Sequence, residues 1–254
     1  MEEIKVQDKE VVVPGEVLAE GMGYLPSYGT YREGDKILAS KLGLVNVEGK
    51  VIKLVPLAGK YLPKRGDTII GMVTEILMSG WRIDTNSAYS AVMNMKDASS
   101  EFIPKGADLS RYFGIGDYVV AKIVNVTSQK LVDISMKGPG LRKLRGGRIL
   151  HVTPPKVPRI IGKQGSMVSM IKQYTRCKIM VGQNGVVWIQ GDNPDEELLA
   201  VKAIHKIERE AHTPGLTENI KAFLEENSSG LPPAPEGSAA PMEGDDPGLE
   251  GFDN

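Results

Sequence analysis

Between two apolar, helix-like patterns the chain carries Gly162-Lys163-Gln164-Gly165, and this tetrapeptide limits the local fold more than any other stretch. Two glycines bracketing two residues let the main chain turn between helices with no Cβ in the way, so an extended polymer can lie directly against the backbone. Lys163 supplies positive charge, and Ser166 is of a type that caps the helix that follows. Met167, Met170, Ile171 and Tyr174 fall at i, i+3, i+4 and i+7, which makes one face of that helix apolar. The glycine loop therefore sits at a helix N-terminus, where peptide dipoles attract phosphate. A plain helix-turn-helix junction is the competing reading of the same residues.

Charge points to a polyanion independently of the loop. Residues 134–191 contain no Asp or Glu and eleven Lys and Arg, Arg159 and Lys163 among them. A solvated helix face ordinarily mixes signs, so a run this one-sided argues for nucleic acid. The formal net charge of −1 hides this, because residues 228–254 hold six acids and no Lys or Arg; residues 1–227 carry 31 basic against 26 acidic side chains, a net +5. That Ser-, Gly- and Pro-rich acidic tail has too little apolar surface to order itself and is expected to stay disordered. The single cysteine, Cys177, excludes an intramolecular disulfide and a cysteine-rich zinc site, and reads as a small buried residue. His151, His205 and His212 lack metal-ligand spacing and a paired carboxylate cluster, so neither a metal, a cofactor nor a catalytic residue is expected. Gly162-Lys163-Gln164-Gly165-Ser166 also lacks the order of a phosphate-binding P-loop. With no apolar run of membrane-spanning length and no signal-peptide pattern at the N-terminus, no membrane association and a cytoplasmic location are expected.

In chain order the sequence reads as three blocks and a tail. Residues 1–64 give short strands at 10–14, 36–40 and 51–56 between glycine turns, a small β domain. Residues 65–137 give strands at 68–77, 80–84, 118–126 and 131–136, with Gly-Asp turns at 66–67 and 116–117, the proportions of a five-stranded barrel. Trp81 shares a strand face with Ile83 and belongs to the core, whereas Arg82 and Lys122 point outward, where they could meet phosphates. Residues 145–227 give a strand at 148–153, a short helix at 155–161, the glycine loop, and a helix at 166–175. Strands at 178–181 and 186–190 follow, joined by Gly182-Gln183-Asn184-Gly185, where Asn-Gly is a hairpin signal. Asn193 stands as cap of a last long helix with Pro194 at its first position and Glu196 at the capping-box position; Ala200, Val201, Ile204, Ile207 and Ala211 form its apolar stripe. A final helix at 217–226 presents Ile220, Phe223 and Leu224.

The third block, in the order β-α-α-β-β-α, resembles a type I KH domain, whose Gly-x-x-Gly loop clamps single-stranded nucleic acid. The second resembles an S1 domain, an OB-type fold. It departs from that pattern where many S1 domains have Gly-x-Phe-Val: here Gly80-Trp81-Arg82-Ile83 puts Arg82 in the place of the stacking aromatic, and Asn94 stands near the usual His. A small β domain, one S1 domain and one KH domain with a Gly-x-Asn-Gly hairpin together resemble the RNA-binding cap subunit of the archaeal exosome, the ribosomal RNA processing protein four family. That resemblance implies a non-catalytic subunit, forming a trimeric cap on a hexameric ring of RNase PH-like subunits, with the N-terminal domain docked on the ring. The S1 domains would line the pore through which single-stranded RNA passes to 3′-to-5′ degradation. It implies RNA contacts from Arg159, Gly162, Lys163, Gln164, Gly165 and Ser166, with Arg82 and Lys122 on the S1 side. It also implies that Gly182, Asn184 and Gly185 form a structural wedge between the S1 and KH domains rather than an RNA site.

Two other readings compete. S1 and KH domains also occur together in transcription and translation factors, but those commonly carry a second KH domain, and no second Gly-x-x-Gly with KH flanks is present. An enzyme cleaving RNA on its own would need the acid-base or metal cluster that the three histidines do not supply.

Overall fold

The computed structural model describes residues 3–211, 213 and 215–228. Apart from Ser228, the acidic tail lies outside the described residues, as does His212. The chain divides into two compact units, Met1–Gly59 and a second starting at Lys60.

The first unit is all β. Its strands are β1 (Glu3–Ile4), β2 (Val11–Val12), β3 (Val17–Glu20), β4 (Leu25–Pro26), β5 (Thr30–Glu33), β6 (Lys36–Ala39), β7 (Gly43–Glu48) and β8 (Val51–Pro56). They form two four-stranded sheets, ordered β1-β3-β6-β5 and β2-β7-β8-β4. The alternation in β8 sets its facing: Ile52 and Leu54 are buried with Val12, Leu18, Ile37 and Val45, while Val55 is exposed. Three of the eight strands, β1, β2 and β4, have two residues each, too few for an alternation to show, and pairing with β3, β7 and β8 is what defines them.

The second unit opens with a closed barrel built from β9 (Thr68–Leu77), β10 (Gly80–Asp84), β11 (Ala91–Asn94), β12 (Tyr118–Val126) and β13 (Val132–Ser135). Successive strands β9, β10 and β11 pair antiparallel, β11 pairs parallel with β13, and β12 closes the ring by pairing with both β13 and β9. A short helix, α1 (Met95–Ala98), follows β11, and β14 (Lys143–Leu144) extends the sheet along β12. Trp81 is fully buried beside Ile83, meets Phe113 edge-on at 5.1 Å between ring centroids, and donates from Nε1 to the Phe113 carbonyl at 3.0 Å. The indole is thus core, with its polar handle satisfied.

The rest of the unit has β15 (Arg148–His151), α2 (Val157–Ile161), α3 (Ser166–Thr175), β16 (Lys178–Val181), β17 (Val186–Gln190), α4 (Pro194–Glu210) and α5 (Leu216–Ser228). The sheet is antiparallel in the order β15-β17-β16. Its two faces bury different things. Ile179, Val187 and Ile189 join Ile160, Ile171, Ile204, Ile207, Ile220 and Leu224 in a core under the helices. On the opposite face Val186 and Trp188 pack with Ile70 of β9, Val120 of β12 and Leu144 of β14, so this sheet is seated against the outside of the barrel. That double burial explains the unbroken apolar run Val186-Val187-Trp188-Ile189, where a half-exposed strand would alternate.

Two expected caps do not form. Gly165, in the left-handed region (φ 75°, ψ 7°), is the boundary residue of α3, so Ser166 is already inside the helix and its side chain caps nothing. Asn193 does stand at the N-cap of α4, but without a side-chain cap bond. Glu196 turns inward instead of reaching back: it is 2 % exposed, with Arg176 at 3.7 Å. Its neighbour Glu197 takes the Gly191 N–H at 3.1 Å. Burial and a cation from the end of α3 outcompete the local capping box. In the α4 stripe Ala200, Ile204, Ile207 and Ala211 are buried and Val201 is half-buried at its edge.

Candidate nucleic-acid interface

The loop is built from α2 outward. α2 stops because Gly162 takes φ 77°, ψ 174°, although its N–H still donates to the Pro158 carbonyl at 2.9 Å. Residues Lys163–Gly165 then make one 3-10 turn, in which Gln164 is left-handed (φ 51°, ψ 36°) and the Gly165 N–H reaches the Gly162 carbonyl at 3.3 Å. Glycine is required at 162 by space as well as by φ. A Cβ there would lie 2.7 Å from both the Cβ and the N of Met167, so the loop is pressed onto the first turn of α3. Met167 is itself buried and anchors that turn, with Ile160 and Ile171 fully buried on either side of the loop.

The tip that results is exposed and positive. Lys163 and Gln164 project into solvent, Arg159 is exposed on the preceding helix, and Ser166 is exposed at the start of α3. Neither Arg159 nor Lys163 has an ion pair among the described residues, so their charge is not offset locally. Elsewhere the acid-free run is partly neutralised by acids from outside it: Lys143 pairs with Asp117, Arg148 with Glu197 at 3.6 Å, and Arg176 with Glu196. Burial pushes the Asp117 carboxyl up, but the hydrogen bonds from Lys143 and the Gly114 N–H, with the Lys143 charge, outweigh it and the net shift is downward. Lys156 gives its ammonium to the Glu208 backbone carbonyl at 2.9 Å.

A carboxylate holds the approach to the loop in place. Glu208 of α4 accepts from both the N–H and the hydroxyl of Thr153, each at 2.7 Å, just before the chain enters α2. Burial pushes the Glu208 carboxyl up, but the hydrogen bonds from Thr153 outweigh it and the net shift is downward.

Arg82 and Lys122 are exposed on the outside of the barrel, on β10 and β12, which flank β9. Arg82 is ion-paired with Glu75, its cross-strand neighbour, at 2.7 Å, so much of its charge is already answered. Lys122 has no ion pair among the described residues. The structure does not bring these two to the glycine loop, because the loop belongs to the helical layer and the barrel packs on the other face of the sheet.

The Gly182–Gly185 hairpin has a different task. Gly185 donates its N–H to the Gly182 carbonyl at 3.0 Å, and the left-handed residue is Gly185 (φ 80°). Neither Gln183 nor Asn184 has positive φ, so this is not the two-residue Asn-Gly turn with both central residues left-handed. Asn184 is fully buried against the barrel. Its Nδ2 donates to the carbonyls of Ile70 and Thr85 at 2.8 and 2.9 Å, and its Oδ1 accepts from the Ile70 N–H at 3.3 Å. Gln183 exchanges two bonds with the Thr68 backbone at 2.7 and 2.9 Å, and Asn86 donates to the Asn184 carbonyl at 3.0 Å. Gly182 is hemmed in, since a Cβ would lie 2.4 Å from Asn184 Oδ1 and 2.8 Å from the Ile70 N. Sequence reasoning missed Gln183, Asn86 and Trp188; the unbroken apolar run around Trp188 was the signal that could have revealed it.

Comparison with known proteins follows the same division. Residues 9–58 match the family described as exosome RNA binding protein RRP4, N-terminal domain; residues 60–105 match the RRP4 S1 domain, and residues 148–206 the KH domain. The exosome complex component Rrp4 of Methanothermobacter thermautotrophicus is 46% identical over 220 residues, which cover 87% of this chain and 69% of that protein. The chain belongs to the Rrp4 family. Rrp4 of Pyrococcus furiosus is 44% identical over 227 residues, 88% of this chain and 86% of that one. A crystal structure described as an exosome complex RNA-binding protein superposes with a TM-score of 0.60 at 36% identity, over 67% of this chain and 98% of that one. Rrp4 is a non-catalytic component with S1 and KH domains, and membership in its family separates this chain from ribonucleases acting on their own. No helix among the described residues is long and apolar enough to cross a membrane.

Proposed function

We propose that this chain is the RNA-binding subunit of an exosome, forming a trimeric cap on a hexameric ring of RNase PH-like subunits and guiding single-stranded RNA into that ring for 3′-to-5′ degradation. The observation that carries the RNA reading is the exposed Lys163-Gln164 tip at the N-terminus of α3, with the uncompensated Arg159 beside it. In this reading Lys163 and Arg159 take phosphates, the main chain at Gly162 and Gly165 lets the strand approach, and Gln164 and Ser166 offer hydrogen bonds. Lys122, and more weakly the paired Arg82, add charge on the S1 side. Gly182, Asn184 and Gly185 bind no RNA and fix the two RNA-binding domains to each other.

Titration of the full chain with single-stranded RNA at several salt concentrations tests the site. Changing Lys163 and Gln164 both to Asp is expected to weaken binding and to lower the salt slope of log affinity by about 0.7, one single-strand phosphate contact. Unchanged affinity and slope, with unchanged thermal melting, would remove the loop from the RNA path. The assembly is tested by the mass of the complex isolated through this chain, with and without residues 1–60. A ring plus three copies, lost on truncation, is the expected result; association with RNA polymerase would favour a transcription factor instead.

A further inference from the structure

A second cationic site lies away from the glycine loop, on the helices that close the domain. Lys202, His205, Lys206 and Arg209 follow one another at i, i+3, i+4 and i+7 of α4 and so share one face. With Phe223 of α5 they line a cavity of about 400 Å³. Lys206 is paired with Glu210 at 2.7 Å and its ammonium lies over the Phe223 ring, 5.7 Å from the centroid, so a base that stacks on this ring takes the place of the ammonium. His205 faces Glu208 at 3.5 Å. Lys202 and Arg209, at the two ends of the stripe, have no ion pair among the described residues. Seven residues of helix separate them by about 10 Å, so they suit separate phosphates along a strand rather than one anion. Between them sits a half-buried aromatic ring beside a cavity large enough for a nucleobase.

We propose that this α4–α5 cavity is a second contact for single-stranded RNA, with Lys202 and Arg209 on backbone phosphates and a base stacked against Phe223. Cations flanking a π-face are the combination that holds single strands without sequence preference. Two unpaired cations about 10 Å apart with an aromatic ring between them suit a charged backbone whose every unit carries a flat base, whereas an acidic peptide would meet the ring only where it carries an apolar side chain, and nucleic acid is therefore the ligand favoured here. The inference rests on the RNA-binding reading above, and it adds a site that the Gly-x-x-Gly loop does not include.

The test uses the full chain and an oligouridine probe, in parallel in the native sequence and in the chain with Lys163 and Gln164 changed to Asp. If the native chain binds no RNA, the proposed function itself fails, and this site with it. If binding survives in the loop variant, adding Lys202→Ala and Arg209→Ala is expected to lower its salt slope by a further ~1.4, two phosphate contacts. Phe223→Leu keeps an apolar side chain against the core and is expected to weaken binding about fivefold, the low end for a lost base stack, without moving the thermal midpoint. A 5-iodouridine probe is expected to crosslink to the peptide carrying Phe223. Complete loss of binding in the loop variant, or an unchanged slope in the Lys202/Arg209 variant, would overturn the second site while leaving the loop assignment intact. Retained RNA binding in that variant, with loss of binding to a peptide of residues 229–254, would assign the stripe to an acidic peptide instead.

Discussion

Replacing Asn184 by alanine tests whether the S1 barrel and the KH sheet form one cooperative structure. The side chain makes three hydrogen bonds to barrel backbone, two donated to the Ile70 and Thr85 carbonyls and one accepted from the Ile70 N–H. At a net ~1 kcal/mol each, their loss costs about 3 kcal/mol. Two effects oppose each other around that figure. Ile70 and Thr85 are buried, so groups left without partners each add a penalty of about 1 kcal/mol or more. A water entering the small polar space would return part of it. The bond from Asn86 to the Asn184 backbone carbonyl survives the substitution. Urea unfolding followed by tryptophan fluorescence is a suitable assay, because of the two tryptophans Trp81 reports the barrel core and Trp188 the interface. The expected result is a loss of about 3 kcal/mol and a Trp188 signal that changes before that of Trp81. Asn184→Asp should be worse, because a carboxylate would face two carbonyls with no hydrogens to give. A loss under about 1 kcal/mol, with the two signals still coincident, would refute the reasoning and assign the coupling to the apolar contact of Ile70, Val120 and Trp188 and to the bonds of Gln183 with Thr68 and of Asn86 with the Asn184 carbonyl.

Gly162→Ala should destabilise by about 2 kcal/mol and abolish loop-dependent RNA binding, since φ 77°, ψ 174° belongs to a glycine region and the new Cβ would collide with Met167; calorimetry showing no change would contradict this. Lys163→Ala, at the exposed tip, should stay within about 0.5 kcal/mol in the same measurement. Burial pushes the Cys177 thiol up to about 11, so a disulfide reagent at pH 8 should leave it unlabelled until urea unfolds the domain; stoichiometric labelling of the native chain would show the site to be open. The Glu208 carboxyl is held below its ordinary 4.5 when folded, so its stabilisation is present above that value and is lost as pH falls through the lower, folded one. Glu208→Gln should therefore lower stability at pH 7 and flatten the acid side of the stability profile; an unchanged slope between pH 5 and 3 would disprove the linkage.

What the sequence determined by itself was local. Gly162 and Gly165 announced a turn that only glycine makes, and the spacing of Met167, Ile171 and Tyr174 announced the helix after it, because both depend on residues within one or two turns. The long barrel strands and the β16–β17 hairpin were legible for the same reason, as was the buried side of Trp81. Tertiary structure decided the rest. The strand Ala91–Asn94 has four residues and an irregular approach, and it exists through pairing with β10 and, in parallel, with the distant β13. Glu196 matched a capping box, yet burial beside Arg176 drew it away from the helix end. The one-sided charge of residues 134–191 pointed to a polyanion, but which cations stay uncompensated depended on acids such as Asp117 and Glu197 that lie outside the run and reach it only in the folded chain. The polar reach of Asn184 into the barrel was settled in the same way. A side-chain amide carries no periodicity, and its three bonds go to backbone groups about 100 residues away, which only the docking of one domain on another can bring within reach.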